Sequence, residues 1–296
     1  ILRKGRDWTE PKRAAVSAFG FGGNNAHLIV SSYRQFQEDQ KSQPKTSRPS
    51  QNTSDNKIAI VGLEIATGSA FGKEQVQKHL EEGLIPNRKM SDIPLQLSGI
   101  KFPPNDLKQA LPQQNVLMEL ARRSIDGLKV QLQKEDTSVW VAMGCDTNVC
   151  RYGARWRMVQ HQKRLAEDGI WLQNNRDAII DKLTSAGVLG TMPNIPTNRI
   201  NSQFDFQGMS SSISAEEGSS IHAIQCAIHA IKKGEIGTAV VGAVDLTCDV
   251  VHSRAKAQLG LDSKQPVDSA AVVVLKDYKQ ACQDGDVIWG TLSDET

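Results

Sequence analysis

The segment at residues 213–234 constrains the fold of this chain more than any other. Isoleucines recur there at three- and four-residue steps: Ile221, Ile224, Ile228 and Ile231. Small residues stand beside them: Ala223, Ala227 and Ala230. This period predicts a helix with an aliphatic stripe. Two lysines followed by Gly234 are typical of a helix C-terminus, because the dipole favours cations and glycine adopts the left-handed cap. We expect this helix to be largely buried.

The residues just before this helix are candidates for function. A β-prone run ends at Ser214, and the free N–H groups at a helix N-terminus stabilise an anion or a thiolate. Glu217 occupies this position. A structural interpretation stays open beside the chemical one, since Ser214 and Glu217 have the spacing of a capping box. The neighbouring Glu216 is expected to be solvated or ion-paired.

The charge and the cysteine content exclude several classes of function. A formal net charge of +2 over 296 residues gives no argument for nucleic acid or an anionic membrane as partner. No apolar run approaches the roughly 20 residues of a membrane span. Five cysteines are scattered without a CxxC pair, which favours a reduced, cytoplasmic protein and predicts no metal site. Cys226 is expected in the core. The chain lacks an initial Met and reads as a piece of a longer protein.

The clearest domain boundary lies at residues 37–56. This stretch consists of Gln, Ser, Lys, Pro, Thr, Asn and Asp with almost no aliphatic residue. Such a composition cannot bury a core, so it predicts a flexible linker. The chain is therefore expected to contain one domain at residues 1–36 and a second at residues 57–296.

The second domain alternates strand and helix patterns. Strands are predicted at residues 57–62, 138–144, 238–244, 270–275 and 287–292, and helices at residues 73–82 and 113–128. One face of the second helix is expected to be apolar: Val116, Leu117, Leu120, Ala121, Ile125 and Leu128. The charged segment at residues 151–181 is expected to be helical. Its cations indicate either a phosphate or carrier-protein contact or, as we favour, a solvated face: Arg151, Arg155, Arg157 and Lys163. The alternation predicts a layered α/β architecture.

Three segments together resemble the β-ketoacyl synthases. The first has a glycine-dense turn, Gly20, Phe21, Gly22 and Gly23, between two predicted strands at residues 16–18 and 28–30. The second reads Asn-Arg-Ile and then Phe-Asp-Phe-x-Gly within residues 194–208. The third is the segment at residues 213–234. The resemblance implies a thiolase-like layered α/β/α/β/α fold, present in part: the end of one ketosynthase domain and the first half of a second, ketosynthase-like one.

The resemblance also implies roles for individual residues. Phe21 matches the residue that gates the acyl pocket, and the turn at residues 20–23 matches the oxyanion loop of the preceding ketosynthase. Asn24 replaces the usual Thr, and His27 is assigned no chemistry. Glu217 stands where the family has its nucleophilic Cys, and a carboxylate cannot form the stable thioester that acyl transfer requires. Residues 266–269 replace a Gly-Glu-Gly turn, a second departure from the catalytic pattern.

These departures make the second domain resemble a chain-length factor, and the joined domains resemble a polyketide-type polyunsaturated fatty acid synthase. The implied partners are a ketosynthase domain, in a pseudo-dimer, and an acyl carrier protein whose phosphopantetheine carries the substrates; no bound cofactor is expected. The alternatives are a decarboxylase-type loading domain and a scaffold without effect on product length. We expect residues 207–215 to form a pairing edge against the ketosynthase.

Overall fold

The computed structural model describes residues 4, 7–8, 12–19, 25–42, 57–84, 87–160, 169–261 and 266–293. The chain divides into two units, Ile1–Asp55 and Asn56–Thr296.

The described residues of the first unit form an antiparallel hairpin and one helix. Strands β1 (Arg13–Phe19) and β2 (Asn25–Ser31) pair antiparallel and contain both strands predicted around the glycine turn. Helix α1 (Tyr33–Ser42) continues into the stretch predicted as a linker, so the prediction is wrong for residues 37–42. Its polar side chains pair one turn apart, Arg34 with Glu38 at 3.5 Å and Gln35 with Asp39 at 3.2 Å, which supports a helix without a core.

The second unit is built on one mixed sheet. Its strands are β3 (Ile58–Thr67), β4 (Ala70–Phe71), β5 (Thr137–Ala142), β6 (Ser211–Ile213), β7 (Thr238–Asp245), β8 (Ser269–Asp277) and β9 (Gly290–Leu292). Their order is β4-β3-β8-β7-β5-β6, and β9 also pairs with β3. Strand β5 is parallel to both β6 and β7, whereas β8 is antiparallel to its two neighbours. All the predicted strands are present, although β3 extends to Thr67 and β9 begins only at Gly290.

Helices cover both faces of this sheet. They are α2 (Lys73–Glu81), α3 (Pro104–Lys108), α4 (Pro112–Asp126), α5 (Cys150–Gln160), α6 (Gly169–Ile179), α7 (Ser185–Thr191), α8 (Ile195–Phe204), α9 (Ser219–Lys232), α10 (Val250–Gln258) and α11 (Tyr278–Asp284). The predicted helices correspond to α2, α4, α5, α6 and α9. In the described ranges, no helix combines the length and the hydropathy needed to cross a membrane.

Two hydrophobic cores lie on opposite faces of the sheet. On one face α4 buries the residues predicted for its core side, among them Val116, Leu117 and Leu120. On the other face α9 packs on Trp140 of β5 and Val241 of β7. Alternate residues of the strands point to alternate cores, as the pleat of a strand requires. In the described part of the second unit this gives one sheet between two helical layers.

Helix α9 is buried most deeply along its alanine stripe, and of its isoleucines Ile231 is buried while Ile224 and Ile228 are partly buried. Ala223 and Ala227 are completely buried, whereas Ile221 is 60% exposed. Small side chains allow the helix backbone to lie close to the sheet, so the alanines take the central contact and isoleucines flank it. The expectation of a largely buried helix was therefore wrong for the Ile221 side. The predicted C-terminal cap is confirmed, since Gly234 has a φ of 66°.

The motif at residues 204–208 places β6 beside β5. Phe204 and Phe206 stack with ring centroids 5.5 Å apart, and Asp205 between them takes a left-handed φ of 62°. Gly208 donates its N–H to the Thr137 carbonyl at 3.0 Å. A Cβ at this glycine would lie 2.5 Å from the same carbonyl oxygen, closer than any side chain allows. The glycine of the motif is thus required by this close approach.

Candidate active site

A cleft of about 620 Å³ opens where strands β5 and β7 end; we call it the strand-end cleft. Its floor is formed by small and aliphatic residues of the sheet: Ile65, Ala142, Met143, Ala243, Val244, Ala270 and Ala271. Its polar rim comes from the start of α9, the end of β7 and one face of α10: Glu216, Glu217, Ser219, Ser220, Asp245, His252, Lys256 and Ser269. The carboxyl ends of parallel strands are the usual place for ligands in α/β sheets.

The turn at residues 215–219, which we call the Glu217 turn, links β6 to α9. It contains a short 3-10 helix (Glu216–Gly218), and Glu216 adopts a left-handed φ of 51°. The Ser219 hydroxyl accepts the N–H of Ala215 at 2.8 Å and donates to the carbonyl of Glu216 at 2.6 Å. The turn is therefore closed by Ser219.

The predicted capping box is absent. Gly218 is the N-cap of α9, and no side chain caps it. The 3-10 turn inserts between Ser214 and the helix, so the helix begins too late for Ser214 and Glu217 to cap each other. The capping prediction for Glu217 was thus wrong.

Glu216 and Glu217 are both exposed at the rim of the strand-end cleft. Across the part of the chain that the structure describes, no hydrogen bond or ion pair to either carboxylate is found. Neither carboxylate contributes to the fold through a bond of its own. A chemical role for Glu217 stays a prediction.

Asp245 brings a third carboxylate to the cleft at the end of β7. Neighbouring protein atoms displace water from this carboxyl and raise its pKa above the ordinary value. The positive charges of His252 and Lys256 oppose this shift, and the charges of Asp268 and Asp146 add to it. Sequence analysis missed Asp245, although its position directly after a buried strand was a usable signal.

Helix α10 presents His252 and Lys256 to the cleft, four residues apart and hence on one face. Asp249 caps this helix by accepting the N–H groups of Val251 at 2.6 Å and His252 at 3.0 Å. The Nε2 atom of His252 is buried and has no hydrogen-bond partner among the described residues. The imidazole is thus left with an unused donor or acceptor beside the cleft.

Asp268 fixes the loops around the cleft from within. Its carboxylate accepts the N–H groups of Met90 at 2.9 Å and Cys248 at 2.8 Å, and the residue is only 4% exposed. Burial and the neighbouring Asp268 carboxylate raise the pKa of the Cys248 thiol. Residues 266–269, which we call the Asp268 loop, are the segment that is expected from the sequence to replace a Gly-Glu-Gly turn. The structure gives Asp268 a structural role that sequence analysis had not foreseen.

The remaining predicted site residues do not meet at this cleft. Gly20, Phe21, Gly22 and Gly23 lie outside the described residues. The five cysteines are all described and free, and none is among the lining residues of the cleft. Cys226 is partly buried against the α9 core. The described ranges contain no group of His, Cys, Asp and Glu able to hold a metal ion.

The charged segment at residues 151–181 includes helices α5 and α6. Arg155 pairs with Asp177 at 2.6 Å and donates to the carbonyls of Arg176 at 3.0 Å and Ile180 at 2.8 Å. Its side chain is therefore engaged in holding two helices together. Lys163 lies outside the described residues.

The outer edge of β6 is unpaired within the described residues, because the sheet order ends at this strand. The carbonyl of Ile213 accepts the N–H of Met143 at 3.1 Å, so Ile213 bonds toward β5. In a parallel ladder alternate residues bond to the same neighbour. Ser211 consequently also faces β5, and the backbone of Ser212 faces the open edge.

The comparison with protein families and known proteins agrees with this geometry. The family described as "Beta-ketoacyl synthase, N-terminal domain" matches residues 88–281. A subunit of the polyunsaturated fatty acid synthase of Thraustochytrium sp. is 24% identical over 271 residues, 80% of this chain and 13% of that protein. Probable polyketide synthase 8/35 of Dictyostelium discoideum is 24% identical over 299 residues, 94% of this chain and 10% of that protein. The chain thus spans about a tenth of the length of these relatives.

Solved structures share the fold. The PfaC keto synthase–chain length factor matches with a TM-score of 0.66 and 22% identity, over 93% of this chain and 34% of that chain. AntDE:AntF, a type II polyketide synthase acyl-carrier protein in complex with its ketosynthase, matches with a TM-score of 0.59 and 15% identity, over 81% of this chain and 67% of that chain. The predicted thiolase-like fold is confirmed.

Proposed function

We propose a function on the basis of the family to which the chain belongs, the β-ketoacyl synthases, whose N-terminal domain matches it. In this proposal, residues 57–296 are a chain-length-factor-like domain of a polyunsaturated fatty acid or polyketide synthase. The domain shapes the acyl site of a partner ketosynthase and does not itself carry the acyl group. Residues 1–36 end a preceding ketosynthase domain, with Gly20, Phe21, Gly22 and Gly23 as its oxyanion loop.

One observation carries this proposal: the strand-end cleft has carboxylates where acyl transfer needs a thiolate. Glu217 stands at the start of α9, and none of the five cysteines lines the cleft. An acyl group on a carboxylate would be an anhydride, which water hydrolyses rapidly, so it would not be held between half-reactions. The cleft is therefore suited to binding acyl groups without forming an acyl-enzyme.

The partner assignment is supported by the open edge of β6. An unpaired strand edge readily adds a strand from another chain. Serines on this strand let a second backbone approach without burying charge. A ketosynthase domain is the partner that the proposal assigns to this edge, and an acyl carrier protein delivers the substrates on phosphopantetheine.

The proposal is tested by incubating the chain with hexanoyl-pantetheine and measuring its intact mass. We expect no stoichiometric increase by one hexanoyl group. A ketosynthase with its nucleophilic Cys, treated in parallel, serves as the positive control. A full acyl-enzyme in this chain, mapped to Cys145 or any other cysteine, would contradict the proposed function.

A further inference from the structure

We propose that the strand-end cleft binds uncharged acyl groups and rejects groups that carry a carboxylate, with His252 as the residue that holds the acyl carbonyl. This inference rests on the proposed function, since it names the ligand class of the same cleft. It assigns a specificity role to His252, a residue to which the family resemblance did not point.

The shape of the cleft suits an acyl chain. Its floor is apolar and built from short side chains, such as Ala142, Ala243 and Ala270. Such a floor offers hydrophobic contact to methylene groups, and its alanines leave space for an acyl chain. A ligand entering here would bury its apolar part against the sheet and leave its polar end at the rim.

The rim carries an excess of negative charge. Glu216, Glu217 and Asp245 supply three carboxylates, against one cation from Lys256 and, when its imidazole is protonated, a second from His252. The positive charge of Lys256 already stabilises the charged form of Asp245, so this charge is shared between Asp245 and a ligand. A carboxylate on the ligand, as in a malonyl thioester, would meet these like charges, above all beside Asp245, where burial removes water and makes repulsion stronger than in bulk water. An uncharged acyl group meets no such penalty.

His252 supplies a hydrogen-bond donor for the carbonyl oxygen of an uncharged acyl group. Its buried Nε2 has no partner among the described residues, and a buried polar atom without a partner costs free energy. A neutral imidazole with the proton on Nε2 can donate to a carbonyl oxygen. The Asp249 carboxylate accepts the N–H groups at the start of α10 and holds this turn in place. His252 is therefore positioned before the ligand arrives.

The test compares two ligands that differ by one charge. Malonyl-pantetheine and its methyl ester are titrated into the chain, and binding is followed by calorimetry and by the NMR signals of the six histidines. We expect the ester to bind at least ~10-fold more tightly, as expected for repulsion by nearby like charges. The Glu217→Gln variant should reduce the ratio between the affinities for the ester and for malonyl-pantetheine. Among the histidine signals, that of His252 should shift most.

The role of His252 is tested by His252→Phe, with His229→Phe as the matched control on the exposed side of α9. Loss of one hydrogen bond predicts roughly 10-fold weaker binding of the ester, and the control should bind normally. If His252→Phe does not fold, the NMR titration of the unsubstituted chain decides.

Equal affinity for the two ligands, no binding of either, or an unshifted His252 signal would each overturn the inference. An acyl-enzyme seen by mass would overturn the proposed function instead, because selectivity is measured from binding alone.

Discussion

Two loops beside the strand-end cleft contain the same kind of side chain in opposite environments. In the Asp268 loop the carboxylate is buried and accepts two backbone N–H groups. In the Glu217 turn the carboxylate is exposed, and the described residues give it no partner. From the sequence, both segments are expected to depart from the catalytic pattern of the family. The two acidic residues thus have different physical roles in the fold, whatever their history.

The difference teaches which acidic residue can be changed without loss of the fold. Asp268 connects the segment at Met90 to the one at Cys248, so its removal leaves buried donors unsatisfied. Glu217 makes no bond that folding requires. Only at the Glu217 turn, therefore, does a substitution report on binding or chemistry alone.

The largest effect is expected at Asp268. Asp268→Ala removes the acceptor of two backbone N–H groups and should lower the free energy of unfolding by about 3 kcal/mol, measured by urea denaturation. Asp268→Asn retains one acceptor oxygen and should lose roughly half as much. A loss below about 0.5 kcal/mol for Asp268→Ala, the size typical of a surface position, would remove the contrast between the two loops.

An intermediate effect on stability is expected at Ser212, on the strand that leads into the Glu217 turn. Ser212→Pro removes the N–H at the open edge and the contact of its hydroxyl with Thr197, 2.7 Å away. The lost side-chain bond should cost about 1 kcal/mol. Association with a complete ketosynthase domain, measured by analytical ultracentrifugation, should fall at least ~10-fold.

The matched control for this edge is Thr197→Val. It breaks the same hydroxyl pair but leaves the backbone edge intact, so it should share the loss of stability and associate normally. Ser211→Pro is a less suitable probe, because the ladder places the Ser211 N–H toward β5. Unchanged association of Ser212→Pro would show that the edge is not a partner surface.

The smallest effect is expected at Glu217 itself. Glu217→Gln should leave the free energy of unfolding within about 0.5 kcal/mol of the unsubstituted chain, as for other exposed residues without partners. Thermal and urea denaturation provide the measurement, and Asp268→Asn provides the contrast. A loss above roughly 1 kcal/mol would reveal a structural bond to Glu217. Altered products from the intact synthase with unchanged stability would instead show a charge-dependent role.

Local patterns in the sequence were sufficient for most strands of the second unit, for helices α2, α4, α5, α6 and α9, and for one of the two cores. The face of α4 that includes Val116, Leu117 and Leu120 was predicted from its period and is buried as expected. The strands were found because continuous apolar runs are typical of strands covered on both faces. Periodicity reports on the distribution of apolar residues along a helix, and α4 has one clearly apolar side.

Helix α9 shows where this reasoning is only partly correct, because Ile231 is buried as expected but Ile221 is exposed. Two stripes, one of isoleucine and one of alanine, run along it, and hydrophobicity alone favours the isoleucines. The sheet selected the alanines, because close packing of a helix on strands depends on side-chain size as well as on hydrophobicity. Only the distance between helix and sheet decides between the two stripes.

The sequence by itself determined the alternation of strands and helices, the glycine cap at Gly234 and the carboxylate at the start of α9, because each depends on neighbours within a few residues. Only the tertiary structure decided that Glu217 is exposed, that Asp268 is buried, and that Asp245 and His252 share its cleft. Those properties depend on groups brought together from distant parts of the chain, and the local pattern of a sequence contains no record of such distances.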